Sequence, residues 1–235
     1  MQSSKLPLPK FPSPIESDES SDYSTIQPDG RIRSYPHVRG QWTTFVYSEL
    51  PDDSLIDLSD CISSCGSDIQ LIENIHVSMV RGHYALSFHQ ITPFVTGLRD
   101  KLSICQAFDI YLSVFKLFTN EESTRSFICL CEPKLMVDSV NTRTSRYVLD
   151  LIKQTLDDYN AKVESTIAPS NQNLCLDDFT FHTSIAWCLP GADKSASNLI
   201  AQLNELLDEP IKVHVDTIKI NTGNICHTIS LKDRT

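Results

Sequence analysis

Residues 181–185 read Phe181-His182-Thr183-Ser184-Ile185, and in the first third of the chain residues 75–79 read Ile75-His76-Val77-Ser78-Met79. On a β-strand successive side chains alternate between faces, so residues i and i+2 emerge together. His76 and Ser78 then share one face while Ile75, Val77 and Met79 take the other. His182 and Ser184 stand in the same way opposite Phe181, Thr183 and Ile185. One such tripeptide carries little information. Two copies, each inside the apolar alternation of an inner strand, predict two comparable lobes whose polar pairs face one another across a cleft.

Working outward from these strands, residues 41–47 are aromatic and β-branched and predict a strand, and residues 53–62 predict a helix behind an Asp cap. Apolar spacing at Phe94, Val95, Leu98 and Leu102 predicts a helix over 93–104. One strand is expected over 108–118, answered by another over 127–131 across a turn at 119–123. A helix over 142–159, with Tyr147, Leu151, Ile152 and Leu156 on one side, precedes a strand over 179–187. A helix over 195–207 and strands over 212–220 and 224–231 close the chain. Helices and strands mix without a regular βαβ beat, so the fold class is α+β, with the lobes dividing near residue 120.

The chain has 235 residues, is 40% hydrophobic and 21% charged, and contains only 7 Gly, the composition of a globular domain with a sizeable core. Residues 1–29 hold five prolines and seven serines and are expected to form a disordered tail ahead of a single domain over 30–235. The net charge of −10 excludes a protein that coats long nucleic acids, because that mode needs many Lys and Arg contacts to phosphate. An enzyme that grips one RNA end is compatible with it. No apolar stretch is long enough to span a membrane, so a soluble, non-secreted protein is expected. The eight cysteines (61, 65, 105, 129, 131, 175, 188 and 226) lie in apolar segments without metal-ligand spacing. They read as reduced, buried small hydrophobes, with no metal site and no cofactor.

Two histidines are what a general acid and a general base require near neutral pH. The pattern predicts phosphodiester chemistry in which one imidazole takes the proton of a ribose 2′-hydroxyl and the other protonates the departing 5′-oxygen. Ser78 and Ser184 would hydrogen-bond the phosphoryl oxygens as charge builds on them. The residues alone leave open which histidine is the base.

The paired motifs resemble the two-histidine (2H) phosphoesterase superfamily. Further stretches narrow the resemblance: Arg31-Ile32-Arg33-Ser34-Tyr35-Pro36-His37-Val38-Arg39-Gly40-Gln41-Trp42, Phe115-Lys116-Leu117-Phe118-Thr119-Asn120 with Thr124-Arg125-Ser126-Phe127, and the second motif with Gly223-Asn224. Over roughly residues 30–231 the chain resembles the U6 small nuclear RNA phosphodiesterase family. The resemblance implies two pseudo-symmetric lobes with antiparallel sheets around a catalytic cleft, and a monomeric nuclear 3′→5′ exoribonuclease. That enzyme would trim terminal uridines and adenosines from U6 RNA and leave a terminal phosphate, cyclic in some members. It implies His182 as base, His76 as acid, and Ser78 and Ser184 as phosphate-holding hydroxyls.

The chain departs from the family at Leu176, where relatives place an aromatic that stacks on the terminal base, and at Ile225, Gln41 and Phe45, which replace Lys, Asn and His. Affinity or base preference at the 3′ end is expected to differ unless Phe179 or another ring substitutes, and Tyr84 is only a minor stacking candidate. Arg31, Arg33 and Arg39 form a local basic excess that could reach phosphates. His37, His83, His89, His214 and His227 lack a serine two residues on and read as structural or surface residues. Two other functions fit the same motifs: a cyclic phosphodiesterase acting on small nucleotides, and a non-catalytic RNA-end binding module.

Overall fold

The computed structural model describes residues 39–51, 54–55, 58–63, 66–80, 84–120, 123–133, 140–159 and 179–233. In chain order its elements are β1 (Gln41–Glu49), α1 (Ser59–Ser63), β2 (Ile69–Leu71), β3 (His76–Ser78), β4 (Tyr84–Ser87), α2 (Phe88–Leu102), β5 (Phe108–Leu112), β6 (Val114–Thr119), β7 (Ser126–Pro133), α3 (Val140–Asp158), β8 (Phe179–Cys188), α4 (Asp193–Leu206), β9 (Ile211–Val215), β10 (Thr217–Thr222) and β11 (Ile225–Ser230). The expected tail over 1–29, Arg31, Arg33, His37, His83, Cys65, Cys175 and Leu176 lie outside the described residues.

The α+β class expected from the sequence is the class observed. Seven strands run β11-β10-β1-β3-β8-β7-β6 across one antiparallel sheet, with β4 also paired to β1 and β2 also paired to β8. Strand β3 is the junction. It pairs with Tyr47–Glu49 of β1 on one side and with β8 at Val77↔Thr183 and Ser78↔His182 on the other. The two halves of the sheet are not the halves of the sequence divided near residue 120. The C-terminal strand β10 returns to β1, where Val46 meets Ile220, and so joins the first half.

Two expected strands are each broken in two. The apolar run over 108–118 divides at Ser113 and the run over 212–220 divides at Asp216. Their first parts, β5 and β9, pair with each other in a separate two-stranded sheet, and their second parts enter the large one. Continuous hydrophobicity hides such a break, because both pieces are buried. The breaks keep their backbone bonds: Ser113 N–H donates to Cys131 O at 2.8 Å, and Leu231 N–H donates to Asp216 O at 2.7 Å.

Helix α2 begins five residues before the expected start. The Gln90 carboxamide accepts from the Ser87 backbone N–H at 2.9 Å, satisfying a donor at the helix start, and the helix then runs through Pro93. Its Ile91, Phe94, Val95, Leu98 and Leu102 are buried, with Ile152 and Leu156 of α3 and Leu199 and Leu203 of α4, against Val77, Phe181 and Ile185 of the sheet. On α3 the inward residue is Val148, whereas Tyr147 is 51% exposed, a one-residue rotation of the expected face. The three helices thus cover one face of the central strands. Burying a Phe, Ile or Val side chain is worth roughly 1.5–3 kcal/mol each, so a one-residue register slip that turned Phe181 and Ile185 outward would cost several kcal/mol. That burial fixes the other face, which carries the histidines and serines.

The hairpin between β10 and β11 turns on Gly223 and Asn224. Gly223 has φ +63°, and a Cβ there would meet Trp42 Cδ1 at 2.5 Å, so both backbone and space require glycine. Among the described cysteines, Cys105, Cys129, Cys131 and Cys188 are buried as expected. Cys61 is half-buried and Cys226 is exposed, because it lies on the uncovered face of the edge strand β11. Among the described residues no helix is long and apolar enough to cross a membrane.

Glu132 on β7 ties the two sheets together: its Oε1 accepts from the Tyr111 N–H of β5 at 2.7 Å. Burial pushes its carboxyl up to about 7, with the Tyr111 bond partly offsetting the rise. The folded state therefore holds a proton that the unfolded chain has released, and stability falls as pH rises from the ordinary carboxyl range through about 7. Glu132→Gln keeps an acceptor for Tyr111 and removes this slope. Urea unfolding should show the variant about equal to the wild type near pH 4 and more stable above pH 7, by about 1–2 kcal/mol after discounting for partial solvation. Parallel pH profiles for the two proteins would contradict the assignment.

Candidate active site

The structure brings His76, Ser78, His182 and Ser184 together on adjoining strands. Each is half-buried, while Val77, Met79, Phe181, Thr183 and Ile185 between and beside them are buried, as the alternation predicts. Ser78 lies directly opposite His182. Continuing the antiparallel register by one pair sets His76 opposite Ser184. The two motifs do not look across open space from separate sheets; they form two neighbouring rungs of one sheet, because β3 and β8 pair directly.

This grid places the imidazoles at diagonal corners, where side chains lie about 7–8 Å apart, and the hydroxyls at the other two. A displacement at phosphorus needs its base and its acid on opposite sides of the reacting atom, with donors toward the oxygens that gather charge. A phosphodiester seated over the grid meets both requirements.

Each corner is held from its neighbours. His76 Nδ1 lies 2.9 Å from Asn74 O. A carbonyl only accepts, so Nδ1 carries the proton of this contact, and Nε2 is the nitrogen left open to other partners. The His76 ring also packs against Tyr47, with centroids 5.0 Å apart and planes tilted by 57°. Burial is the main cause that pushes the Tyr47 hydroxyl up to about 12, so it remains protonated at neutral pH. Ser184 Oγ is 3.2 Å from Cys129 Sγ on β7, its register partner. Burial pushes the Cys129 thiol up to about 12, so it keeps its proton and can donate it to Ser184 Oγ. The serine's own O–H is then available to an oxygen of the substrate.

Register extends the face beyond the expected residues. Tyr47 stands opposite Ser78 and Lys219 opposite Tyr47; on the other side Cys129 stands opposite Ser184 and Lys116 opposite Cys129. A lysine therefore stands two strands from each motif serine, Lys116 on the edge strand β6 and Lys219 one strand inside the other edge. Lys219 is paired to Glu49, whereas Lys116 has no ion-pair partner among the described residues. Cys129 and Tyr47 carry no motif, Lys116 lies in one of the family stretches without being singled out by it, and only strand pairing relates the three to the site.

Several secondary candidates fall elsewhere. Tyr84, only a minor stacking candidate, is 6% exposed and buried in the core, so it is unavailable for base stacking. The Phe179 side chain lies outside the described residues, Arg39 is exposed at the turn before β1, and His214 is held by Asp109 Oδ1 at 2.7 Å. Among the described residues no group of His, Cys, Asp and Glu is arranged to hold a metal ion.

A family model described as HVSL, uncharacterised conserved protein, matches residues 6–230. The chain belongs to the HVSL family. Among similar proteins, U6 snRNA phosphodiesterase 1 of Mus musculus is 28% identical over 249 residues, covering 98% of this chain and 85% of the mouse protein. The protein of the same name from Drosophila melanogaster is 29% identical over 233 residues, covering 95% of this HVSL chain and 83% of its own length. Among solved structures, Kluyveromyces marxianus Usb1 with uridine monophosphate aligns at a TM-score of 0.53 and 14% identity, covering 82% of this chain and 99% of that one. A second structure of that Usb1 gives 0.51 and 11%. The antiparallel two-lobed fold of this HVSL protein is thus shared with Usb1.

Proposed function

We propose that this protein is an RNA phosphodiesterase that shortens the 3′ end of U6 small nuclear RNA in the 3′→5′ direction, in the nucleus. The substrate follows from relatives named U6 snRNA phosphodiesterase 1, and the nuclear setting follows from that substrate. The observation that carries the chemistry is the Ser78–His182 pair with His76 two residues along β3 on the same face.

In the proposed reaction His182 takes the proton from the 2′-hydroxyl of the penultimate nucleotide, and that oxygen forms a bond to the adjacent phosphorus. The bond from phosphorus to the 5′-oxygen of the terminal nucleoside breaks, and His76 Nε2 gives that oxygen its proton. The products are an RNA one nucleotide shorter, ending in a 2′,3′-cyclic phosphate, and a nucleoside with a free 5′-hydroxyl. Ser78 and Ser184 hydrogen-bond the two non-bridging oxygens as their charge grows. Both proton transfers are assigned to imidazoles, so no step calls for a metal ion.

The test is mass analysis of oligoribonucleotides with a uridine tail after incubation with the protein, with and without EDTA. Loss of one nucleoside followed by stepwise loss of single nucleoside 2′,3′-cyclic phosphates, a cyclic phosphate on the shortened RNA and undiminished activity in EDTA are expected. A 2′-O-methyl group on the penultimate nucleotide should stop cleavage at that bond. Continued shortening of the blocked RNA would overturn 2′-hydroxyl attack.

A further inference from the structure

One hydrogen bond and one aromatic ring hold the His76 side chain. Its Nδ1 lies 2.9 Å from Asn74 O, and the Tyr47 ring packs on the imidazole with centroids 5.0 Å apart and planes tilted by 57°. We propose that Tyr47 is a positioning residue for His76, its ring fixing the plane of the imidazole so that Nε2 meets the departing 5′-oxygen. This rests on the RNA phosphodiesterase reading above, in which His76 is the proton donor.

A hydrogen bond at Nδ1 holds one corner of the imidazole and leaves the ring to swing about that contact, carrying Nε2 with it. Proton transfer works only within hydrogen-bond reach, roughly 2.6–3.2 Å between heavy atoms, so a swing of about 1 Å takes the donor out of range. A second contact from another direction removes that freedom. Asn74 belongs to the segment that leads into β3, whereas Tyr47 comes from the neighbouring strand β1, so the two contacts reach His76 from different elements. Tilted ring pairs have preferred geometries, which lets an aromatic side chain orient the imidazole as well as crowd it.

Tyr47 is itself fixed. Its register partners are Ser78 on β3 and Lys219 on β10, and its hydroxyl lies 3.8 Å from Cys226 Sγ on β11. In the strand order β11-β10-β1-β3 that hydroxyl is directed across β10 and away from the motifs. The part of Tyr47 that meets His76 is therefore the ring and not the oxygen. Burial is the main cause that pushes the hydroxyl up to about 12, so it keeps its proton at neutral pH and takes no part in proton exchange. Glu49, the other β1 residue beside His76 and its register partner, is paired with Lys219. The ring is what β1 offers the imidazole.

The experiment measures kcat and KM of the wild type, Tyr47→Ala, Tyr47→Leu and Tyr47→Phe, and of His76→Ala with and without Tyr47→Ala. Two substrates are used: a uridine-tailed RNA, and a uridine 3′-phosphodiester of nitrophenol, whose leaving group departs without a proton. On RNA, Tyr47→Ala should lower kcat by about 10–10²-fold with KM near the wild type, and Tyr47→Phe should recover most of that loss. On the nitrophenyl diester Tyr47→Ala should match the wild type, because a misplaced acid does not matter there. Adding Tyr47→Ala to His76→Ala should cost nothing further on RNA. Tyr47→Leu fills the position without a ring face and should lose several-fold on RNA alone, so it carries the same test if Tyr47→Ala unfolds. Wild-type rates on RNA for both Tyr47→Ala and Tyr47→Leu would overturn the proposal, as would an equal loss on the two substrates, losses that multiply with His76→Ala, or a Tyr47→Phe variant as slow as Tyr47→Ala. Failure of the wild type to cleave either substrate would instead overturn the phosphodiesterase reading, and the role of Tyr47 with it.

Discussion

Replacing His76 or His182 by alanine is expected to reduce kcat on a uridine-tailed RNA by about 10²–10⁴-fold each, with thermal unfolding close to the wild type. The small effect on folding follows from where the two side chains lie. Both are half-buried on the face away from the helices, so their loss empties no part of the core formed by Val77, Phe181 and Ile185. The pH profile separates the roles. A base must start unprotonated, so the rise in rate on the acid side belongs to His182; an acid must start protonated, so the fall on the alkaline side belongs to His76. Each variant should lose its own limb of a bell-shaped profile. A phosphodiester with a nitrophenolate leaving group sharpens the assignment, because that group departs without a proton. It should restore much of the rate of His76→Ala and little of His182→Ala. Restoration in the reverse order would exchange the two roles, and full activity of either variant on RNA would overturn the two-histidine mechanism.

The four motif residues were legible because a strand's period of two converts spacing directly into a shared face, and the buried partners at 77, 181, 183 and 185 confirm that face. Which rung faces which was not legible. Pairing between β3 and β8 joins segments far apart in the chain, and nothing local to either specifies Ser78↔His182. The same limit hid the relation of Tyr47, Cys129 and Lys116 to the site, which exists only through register across neighbouring strands. The short strands β2 and β4 were missed because three or four residues are too few to display a period. The break between β5 and β6 was missed for the opposite reason, since both segments are apolar and both are buried. Tyr84 could be only a minor candidate because a tyrosine looks the same in sequence whether its ring meets solvent or lies in the core, as it does here.

The serines should have the next largest effect, and Ser184 allows its cause to be dissected. Ser184→Ala removes the hydroxyl proposed to meet the oxygen on which charge builds in the transition state, and kcat should fall by about 10²-fold with little change in KM. Ser78→Ala is expected to behave alike, since it occupies the corresponding corner of the grid. The pair of Ser184 with Cys129 adds a test of how the hydroxyl is aimed. Where the protonated thiol is the donor across 3.2 Å, the serine's own O–H is left for the substrate. Cys129→Ala removes that donor, leaves the serine free to rotate, and should lower kcat by a few-fold while retaining the pH profile. Cys129→Ser restores a donor and should recover most of the loss. In Ser184→Ala there is no hydroxyl left to aim, so adding Cys129→Ala should cost nothing further. If the two losses multiplied, Cys129 would act on the site through packing rather than through Ser184, and the hydrogen bond between them would be structural.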